Sequence, residues 1–219
     1  MEQGAQVGRL LPRGFFADAP ELVAPRLLGK LLVHRAGRGV IAGRIVEVEA
    51  YLGPHHAQPD PSAHSFNGKT ERNAVLFGPA GHAYVYAIYG RYFCMNITCE
   101  PDGLAGCVLL RALEPVAGRR LMARNRSVAA DAPDRMLTSG PSRLCQALGL
   151  TRAAHNGLDL TSSRSPLQVR DDGFCAGELL TTVRIGISKA MDLPLRFACR
   201  GNPCVSGPAR LNGLRNPNG

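Results

Sequence analysis

Two carboxylates and a phenol recur at every second position near the end of a strand-like stretch, residues 40–51. Successive side chains of a β-strand point to opposite faces, so Glu47, Glu49 and Tyr51 share one face. Such a face either borders water or lines a site in which a carboxylate can accept a proton. We expect Glu47 to face solvent. We assign Glu49 to a site, because its neighbour Tyr51 belongs to the small tyrosine set of this chain.

Four of the five tyrosines lie within residues 84–96. Two runs rich in aromatic and branched residues flank Gly90, which can adopt the positive φ angle of a tight turn. The stretch therefore predicts a β-hairpin with Tyr89 beside its tip, either as an exposed wedge or folded back onto the hairpin. Such a cluster favours a surface that stacks flat rings and still offers hydroxyl groups.

A loop rich in Pro, His, Ser and Gly spans residues 53–68 and carries three histidines. We expect His55 and His56 to lie on a solvated loop. His64 precedes a polar, basic stretch, residues 68–73, which suits either a phosphate backbone or water. A metal-dependent hydrolase built from Glu49 and the three histidines is an alternative, but their spacing matches no metal-binding signature.

The composition is that of an ordinary globular chain of 219 residues with a formal charge of +9. Its basic residues are nearly all arginine, which binds phosphate in a two-pronged way, although a biased genome would produce the same excess. Seven cysteines without a Cys-x-x-Cys spacing indicate neither a disulfide framework nor a zinc site. With no apolar signal core and no membrane-spanning run, we expect a soluble cytoplasmic protein without membrane contact.

The order of the local patterns predicts a single α+β domain with a mostly antiparallel, curved sheet, surrounding helices and a protruding hairpin. We predict three helices: one begins after Asp18 as its N-cap, one spans residues 116–126, and one runs from Pro141 to Leu148. Predicted strands cover 31–34, 40–51, 106–112, 167–170, 182–187 and 195–199. We expect a flexible N-terminal arm (1–13), one domain (14–206) and a C-terminal tail (207–219).

Five ordered motifs resemble the alkyladenine (3-methyladenine) DNA glycosylase family. They are residues 46–54 (VEVEAYLGP), 63–65 (AHS), 84–97 (YVYAIYGRYFCMNI), 108–115 (VLLRALEP) and 139–148 (SGPSRLCQAL). The resemblance covers roughly residues 27–206, and ordered motifs of this length are highly specific.

The resemblance implies a base-excision repair enzyme that acts on double-stranded DNA containing damaged purines. It would flip out the alkylated or deaminated purine and hydrolyse the N-glycosidic bond, without a metal or an organic cofactor. Independently of the resemblance, we expect a monomer by default. The family's general base matches Glu49, and its intercalating residue matches Tyr89. The remaining matches are Tyr51, His64 and Tyr86 around the flipped base, Asn96 against the amino group of guanine, and Arg111 near a phosphate.

Physical chemistry agrees with these assignments. A tyrosine on a thin hairpin can fill the gap left by an extruded base, and a carboxylate can stabilise an oxocarbenium-like sugar while it deprotonates water. A non-catalytic nucleic-acid binding module is the second alternative, since it would use the same basic surface and tyrosines. Such a module would not need Glu49.

Overall fold

One antiparallel sheet forms the centre of the molecule in the computed structural model, which describes residues 8–37 and 39–212. Within these residues the strands are β1 (Arg9–Leu10), β2 (Leu31–Ala36), β3 (Gly39–Tyr51), β4 (Ala83–Ile88), β5 (Tyr92–Cys99), β6 (Gly106–Ala117), β7 (Leu167–Asp171), β8 (Leu179–Thr182) and β9 (Arg196–Cys199). The order across the sheet is β1-β7-β2-β3-β6-β5-β4, and β9 pairs with both β3 and β8.

Short helices surround this sheet. They are α1 (Pro20–Leu27), α2 (Arg119–Asn125), α3 (Asp134–Thr138), α4 (Pro141–Leu148) and α5 (Arg152–His155). Helix α1 packs on β3, α4 on β5 and α5 on β4, and a continuous apolar core joins helices and sheet. This arrangement confirms the predicted single-domain α+β fold. No helix in the described part of the chain has the length and apolar character needed to cross a bilayer.

Strands β4 and β5 form the predicted hairpin, in register from Ala83↔Ile97 to Ile88↔Tyr92. Residues 89–91 form its three-residue loop, in which Tyr89 and Gly90 have left-handed backbone angles, with φ of 48° and 75°. Glycine adopts a positive φ without steric cost, whereas tyrosine adopts it at a cost, so Tyr89 is held in a strained conformation. Tyr89 is 91% exposed, so its side chain projects into solvent and does not fold back onto the hairpin.

Strand β3 is buried along almost its whole length, on both faces. It pairs with β6 on one side and, from Glu47 to Glu49, with β9 on the other, and its pairing with β6 shifts register around Glu47. The expectation that Glu47 faces solvent is therefore wrong, because Glu47 has no exposed surface. Long-range pairing with β9 cannot be read from the alternation of residues in β3.

Local predictions also needed correction at several element ends. Ala19, not Asp18, is the N-cap of α1, because Pro20 occupies its first turn; the Asp18 carboxylate instead pairs with Arg26 at 2.7 Å. Helix α2 begins at Arg119 and not at residue 116 as expected, because β6 continues to Ala117 and Gly118 is the N-cap of the helix. Strand β8 ends at Thr182, whereas a strand over 182–187 was expected.

The predicted arm and tail are described only in part, since residues 1–7 and 213–219 lie outside the described residues. The described part of the arm is not loose: β1 pairs with β7, and Leu11 is buried in the core. The described part of the tail also packs on the domain, because Asn212 is buried and accepts a hydrogen bond from Arg196 at 2.8 Å.

Candidate active site

A pocket of about 650 Å³ opens beside the hairpin. Its walls come from β3, the loop before residue 73, strands β4 to β6, the start of α4 and residues 185–187. Six of the seven residues predicted for the site line it: Tyr51, His64, Tyr86, Tyr89, Asn96 and Arg111. The fold thus brings together side chains from five separate stretches of sequence.

Glu49, the seventh predicted residue, lies behind this wall with no exposed surface. Its Oε1 accepts a hydrogen bond from the backbone N–H of Ile185 at 2.7 Å and pairs with Nη1 of Arg111 at 3.2 Å. Its Oε2 accepts from the Tyr51 hydroxyl at 3.0 Å. All three partners line the pocket, so the carboxylate is held directly against the pocket by donors on two sides.

A second buried carboxylate supports this arrangement. Oε1 of Glu47 accepts from Nε of Arg111 at 3.0 Å and from Nε of Arg196 at 2.7 Å, and Oε2 accepts from the backbone N–H of Ser206 at 2.6 Å. Burial alone would raise the pKa of Glu47, but the two guanidinium groups and the backbone donor outweigh it and lower that pKa. Arg111 thus contacts both Glu47 and Glu49, and the positive charges of Arg111 and Arg196 each lie beside a carboxylate.

The aromatic side chains of the pocket hold one another in fixed orientations. Tyr84 and Tyr86 are stacked with centroids 5.5 Å apart, and the ring of His64 meets Tyr86 edge-on at 4.5 Å. Nδ1 of His64 lies 3.0 Å from the Tyr84 hydroxyl. Burial, with the nearby charge of Arg72, lowers the pKa of His64, so its ring is neutral near pH 7.

The phenols of the pocket stay protonated at neutral pH. Burial raises the pKa of Tyr84 to about 12. Burial also raises the pKa of Tyr86 and, together with the neighbouring Glu49 carboxylate, that of Tyr51. The buried phenols therefore present neutral rings to whatever occupies the pocket.

An ion pair that sequence reasoning missed lies next to Tyr51, a residue of the pocket wall. Arg184 and Asp60 form a fully buried salt bridge, and the guanidinium carbon of Arg184 lies 4.6 Å from the centroid of the Tyr51 ring. Ser62 donates from its hydroxyl to the carbonyl of Lys189 at 2.5 Å. These contacts join the loop before His64 to residues 184–190, which supply the Ile185 N–H to Glu49.

The structure separates two of the loop histidines from the site. His55 lies 3.3 Å from a carboxylate oxygen of Glu100, and His56 lies 3.1 Å from one of Glu21. Neither contacts Glu49. Among residues 8–37 and 39–212, no three His, Cys, Asp or Glu side chains are grouped as metal ligands.

Several residues that line the pocket, or that contact its wall and buried carboxylates, were not predicted as site residues. Arg72 lay in the basic stretch that we noted and Tyr84 in the tyrosine cluster, so a local signal existed for both. The sequence has no such signal for Arg184, Arg196 or residues 185–187, which join the site through contacts with strand β3 more than 130 positions earlier.

Comparison with known proteins matches most of this chain to one family. A model of the methylpurine-DNA glycosylase (MPG) family matches residues 14–203. A protein of Koribacter versatilis is 55% identical over 201 residues, which is 92% of this chain and 95% of the relative. Another, of Rhodopseudomonas palustris, is 49% identical over 93% of this chain and 94% of the relative.

A third relative, from Methanoculleus marisnigri, is 48% identical over 90% of this chain and 98% of its own length. Each of the three carries the assigned name 3-methyladenine DNA glycosylase. With a family model that spans most of the domain and relatives aligned along nearly their full lengths, the resemblance seen in the sequence is confirmed: the chain belongs to the methylpurine-DNA glycosylase family of DNA repair enzymes.

Proposed function

We propose that this DNA glycosylase flips alkylated or deaminated purines, of the 3-methyladenine, 7-methylguanine and hypoxanthine type, out of duplex DNA. It then hydrolyses the N-glycosidic bond and leaves an abasic site. The observation that carries the proposal is the Glu49 carboxylate, held against an aromatic pocket by Tyr51, Arg111 and the Ile185 N–H. The assigned names of the relatives support the same substrate class.

Tyr89 is the proposed wedge. An enzyme that reacts at a base inside a duplex must first extrude that base, and an inserted side chain can occupy the vacated space. Tyr89 stands at the hairpin tip, is 91% exposed and also lines the rim of the pocket. A ring in this place can enter the duplex while the extruded nucleotide enters the pocket beside it.

The flipped base would lie among Tyr51, His64 and Tyr86. A purine alkylated at N3 or N7 is cationic, and an electron-rich ring face attracts a cation by roughly 0.5–2 kcal/mol. The lowered pKa of His64 supports this assignment, because a neutral imidazole does not repel a cationic base. Asn96 on the pocket floor would face the position of the amino group of guanine.

Glu49 would activate the attacking water. Departure of the base leaves an oxocarbenium-like sugar, which a nearby carboxylate stabilises while it removes a proton from water. Arg111 lines the pocket and contacts both Glu47 and Glu49. Its guanidinium would therefore hold the carboxylate in place and lie close to the phosphate of the flipped nucleotide.

We further propose that the enzyme acts as a monomer in the cytoplasm, on the nucleoid if the source is bacterial. The pocket supports the first part, because one chain supplies the proposed base, the aromatic rings and the wedge. The cysteines support the second part: all seven are free thiols, and six of them are buried, which suits a reducing compartment.

The decisive test compares the wild type with Glu49→Gln. Glutamine preserves the hydrogen bonds, since its oxygen can accept from Arg111 and Ile185 and its amide can donate to Tyr51. Duplex oligonucleotides carrying one hypoxanthine or one alkylated purine are incubated with either protein, both with and without a chelator. Alkali then cuts the abasic sites.

We expect cleavage by the wild type and a loss of about 10²-fold or more in Glu49→Gln, the usual contribution of a general base. Equal cleavage by both proteins would remove Glu49 from the mechanism. DNA binding without cleavage by either protein would favour the non-catalytic binding module. Loss of wild-type cleavage in chelator would point to the metal-dependent alternative.

A further inference from the structure

Asn96 and Cys107 lie side by side on the floor of the pocket, on the neighbouring strands β5 and β6. Both are buried, with 4% and 6% of their surface exposed. The thiol of Cys107 donates to Oδ1 of Asn96 at 3.5 Å, and Nδ2 of Asn96 donates to the carbonyl oxygen of Tyr84 at 3.5 Å. Each end of the Asn96 amide therefore has its own partner.

We propose that Cys107 is a positioning residue that fixes the orientation of the Asn96 amide and thereby sets the discrimination between hypoxanthine and guanine. The inference rests on the proposed function, because it assumes that the flipped base occupies this pocket. The inference adds Cys107 to the residues that determine specificity, with a side chain that acts only through Asn96.

The partners of Asn96 allow only one orientation of its amide. A backbone carbonyl such as that of Tyr84 can only accept a hydrogen bond, so the amide nitrogen must face it. The oxygen then faces Cys107, and a thiol can donate to it. After a flip of the amide, two oxygen atoms would face each other at Tyr84 and repel.

Cys107 can act as a donor only while it keeps its proton. Burial, with a contribution from the nearby Asp60, raises the pKa of Cys107 to about 12. At neutral pH the side chain is therefore a thiol. A thiolate in this place would repel the amide oxygen.

The fixed amide has a chemical consequence for the base. Oδ1 is engaged by Cys107 and one N–H by Tyr84, and within the described residues the second N–H of Asn96 has no hydrogen-bond partner. Asn96 lines the pocket, so the group left for the base is a donor. Guanine also presents a donor, its 2-amino group, whereas hypoxanthine has only hydrogen at that position. Two donors that face each other are left unpaired, which selects strongly against guanine.

The test measures a ratio, because hypoxanthine and guanine differ only in the 2-amino group. Duplexes carrying one hypoxanthine or one guanine, each opposite thymine, are treated with excess enzyme, and the two excision rates are divided. The variants are Cys107→Ala and Cys107→Val, which remove the donor, and Cys107→Ser, which keeps it. Cys99→Ala is the matched control, because this buried thiol donates to the Ile97 carbonyl and does not line the pocket.

We expect the ratio of hypoxanthine to guanine excision to fall about fivefold or more in Cys107→Ala and Cys107→Val, the effect of one lost hydrogen bond. Cys107→Ser and Cys99→Ala should retain the wild-type ratio within about twofold. Valine fills the volume of the thiol, so it tests the donor even if the alanine variant does not fold.

Three results would contradict the inference. An unchanged ratio in the valine or alanine variant, with both rates lowered in proportion, would reduce Cys107 to a structural role. A serine variant that behaves like alanine would show that shape matters and the donor does not. A wild type that excises neither base would overturn the proposed function itself, and this inference with it.

Discussion

Replacing Tyr89 with asparagine should stabilise the protein and at the same time impair excision. Tyr89 has a left-handed φ of 48°, which costs an ordinary residue about 1–2 kcal/mol. Asparagine tolerates this conformation better than tyrosine, because its short polar side chain can hydrogen-bond to the local backbone. Because the Tyr89 side chain is 91% exposed, its removal sacrifices almost no buried surface.

The expected gain in unfolding free energy is about 1 kcal/mol, a rise in Tm of about 2–4 °C for a domain of this size. The expected loss in catalysis follows from the stacking of one ring on a base, about 1–3 kcal/mol, or about 5- to 150-fold in rate. Lesions in single-stranded DNA leave no gap to fill, so their excision should change little. Stability and activity should therefore move in opposite directions.

Single-turnover excision of hypoxanthine from duplex and single-stranded oligonucleotides measures the activity, and circular dichroism measures Tm, since the chain has no tryptophan. Ser127→Gly is the matched control, because Ser127 also has a left-handed φ, 51°, and does not line the pocket. It should gain stability and keep full activity. If Tyr89→Asn excises hypoxanthine from duplex DNA within twofold of the wild-type rate, Tyr89 does not act as a wedge. If its Tm is lower than that of the wild type, the left-handed φ of Tyr89 is not a source of strain.

Three further predictions concern the pocket and its support. Asn96→Ser should release guanine from duplex DNA, and undetectable release would mean that Asn96 is not the gate. Arg184→Met should lower the unfolding free energy, measured in urea, by about 3–5 kcal/mol, because it leaves the buried Asp60 carboxylate without its partner. Adding Asp60→Asn should recover part of this loss. A double variant as unstable as Arg184→Met alone would contradict the prediction. His34 and His155 share a buried Nε2–Nε2 contact of 3.2 Å, and burial lowers both pKa values below the ordinary 6.5. The unfolded chain then binds more protons than the folded protein below pH 6.5, so the stability present above this pH should be lost as the pH falls. The double variant His34→Gln, His155→Leu should show a smaller fall in Tm between pH 7.5 and 5.5 than the wild type. An equal fall in the two proteins would refute this prediction.

Features that depend on neighbouring residues were predicted well. The hairpin followed from Gly90 between two β-rich runs, and the structure shows the turn there with Tyr89 exposed. Alternation along β3 placed Glu49 and Tyr51 on one face, and the structure joins them by a hydrogen bond of 3.0 Å. Backbone stereochemistry and the two-residue period of a strand act over a few residues, so the sequence reports them directly.

The environment of the carboxylates was not predictable in the same way. Glu47 and Glu49 have the same local pattern, yet Glu47 is enclosed by Arg196 and Ser206, whereas Glu49 meets Tyr51 and the pocket. Whether a polar side chain is solvated or buried depends on what packs against it. For β3 that cover arrives from residues about 150 positions away along the chain.

The sequence by itself determined the family, the hairpin with Tyr89 beside its tip and six of the side chains that line the pocket, because ordered motifs and local backbone preferences are written in consecutive residues. Only the tertiary structure decided that both carboxylates are buried, that Arg111 is shared between them, and that Arg184 pairs with Asp60 next to Tyr51. The physical reason is that a buried charge requires a partner at about 3 Å. That partner is chosen by the path of the chain in space, and the spacing of residues in the sequence does not specify it.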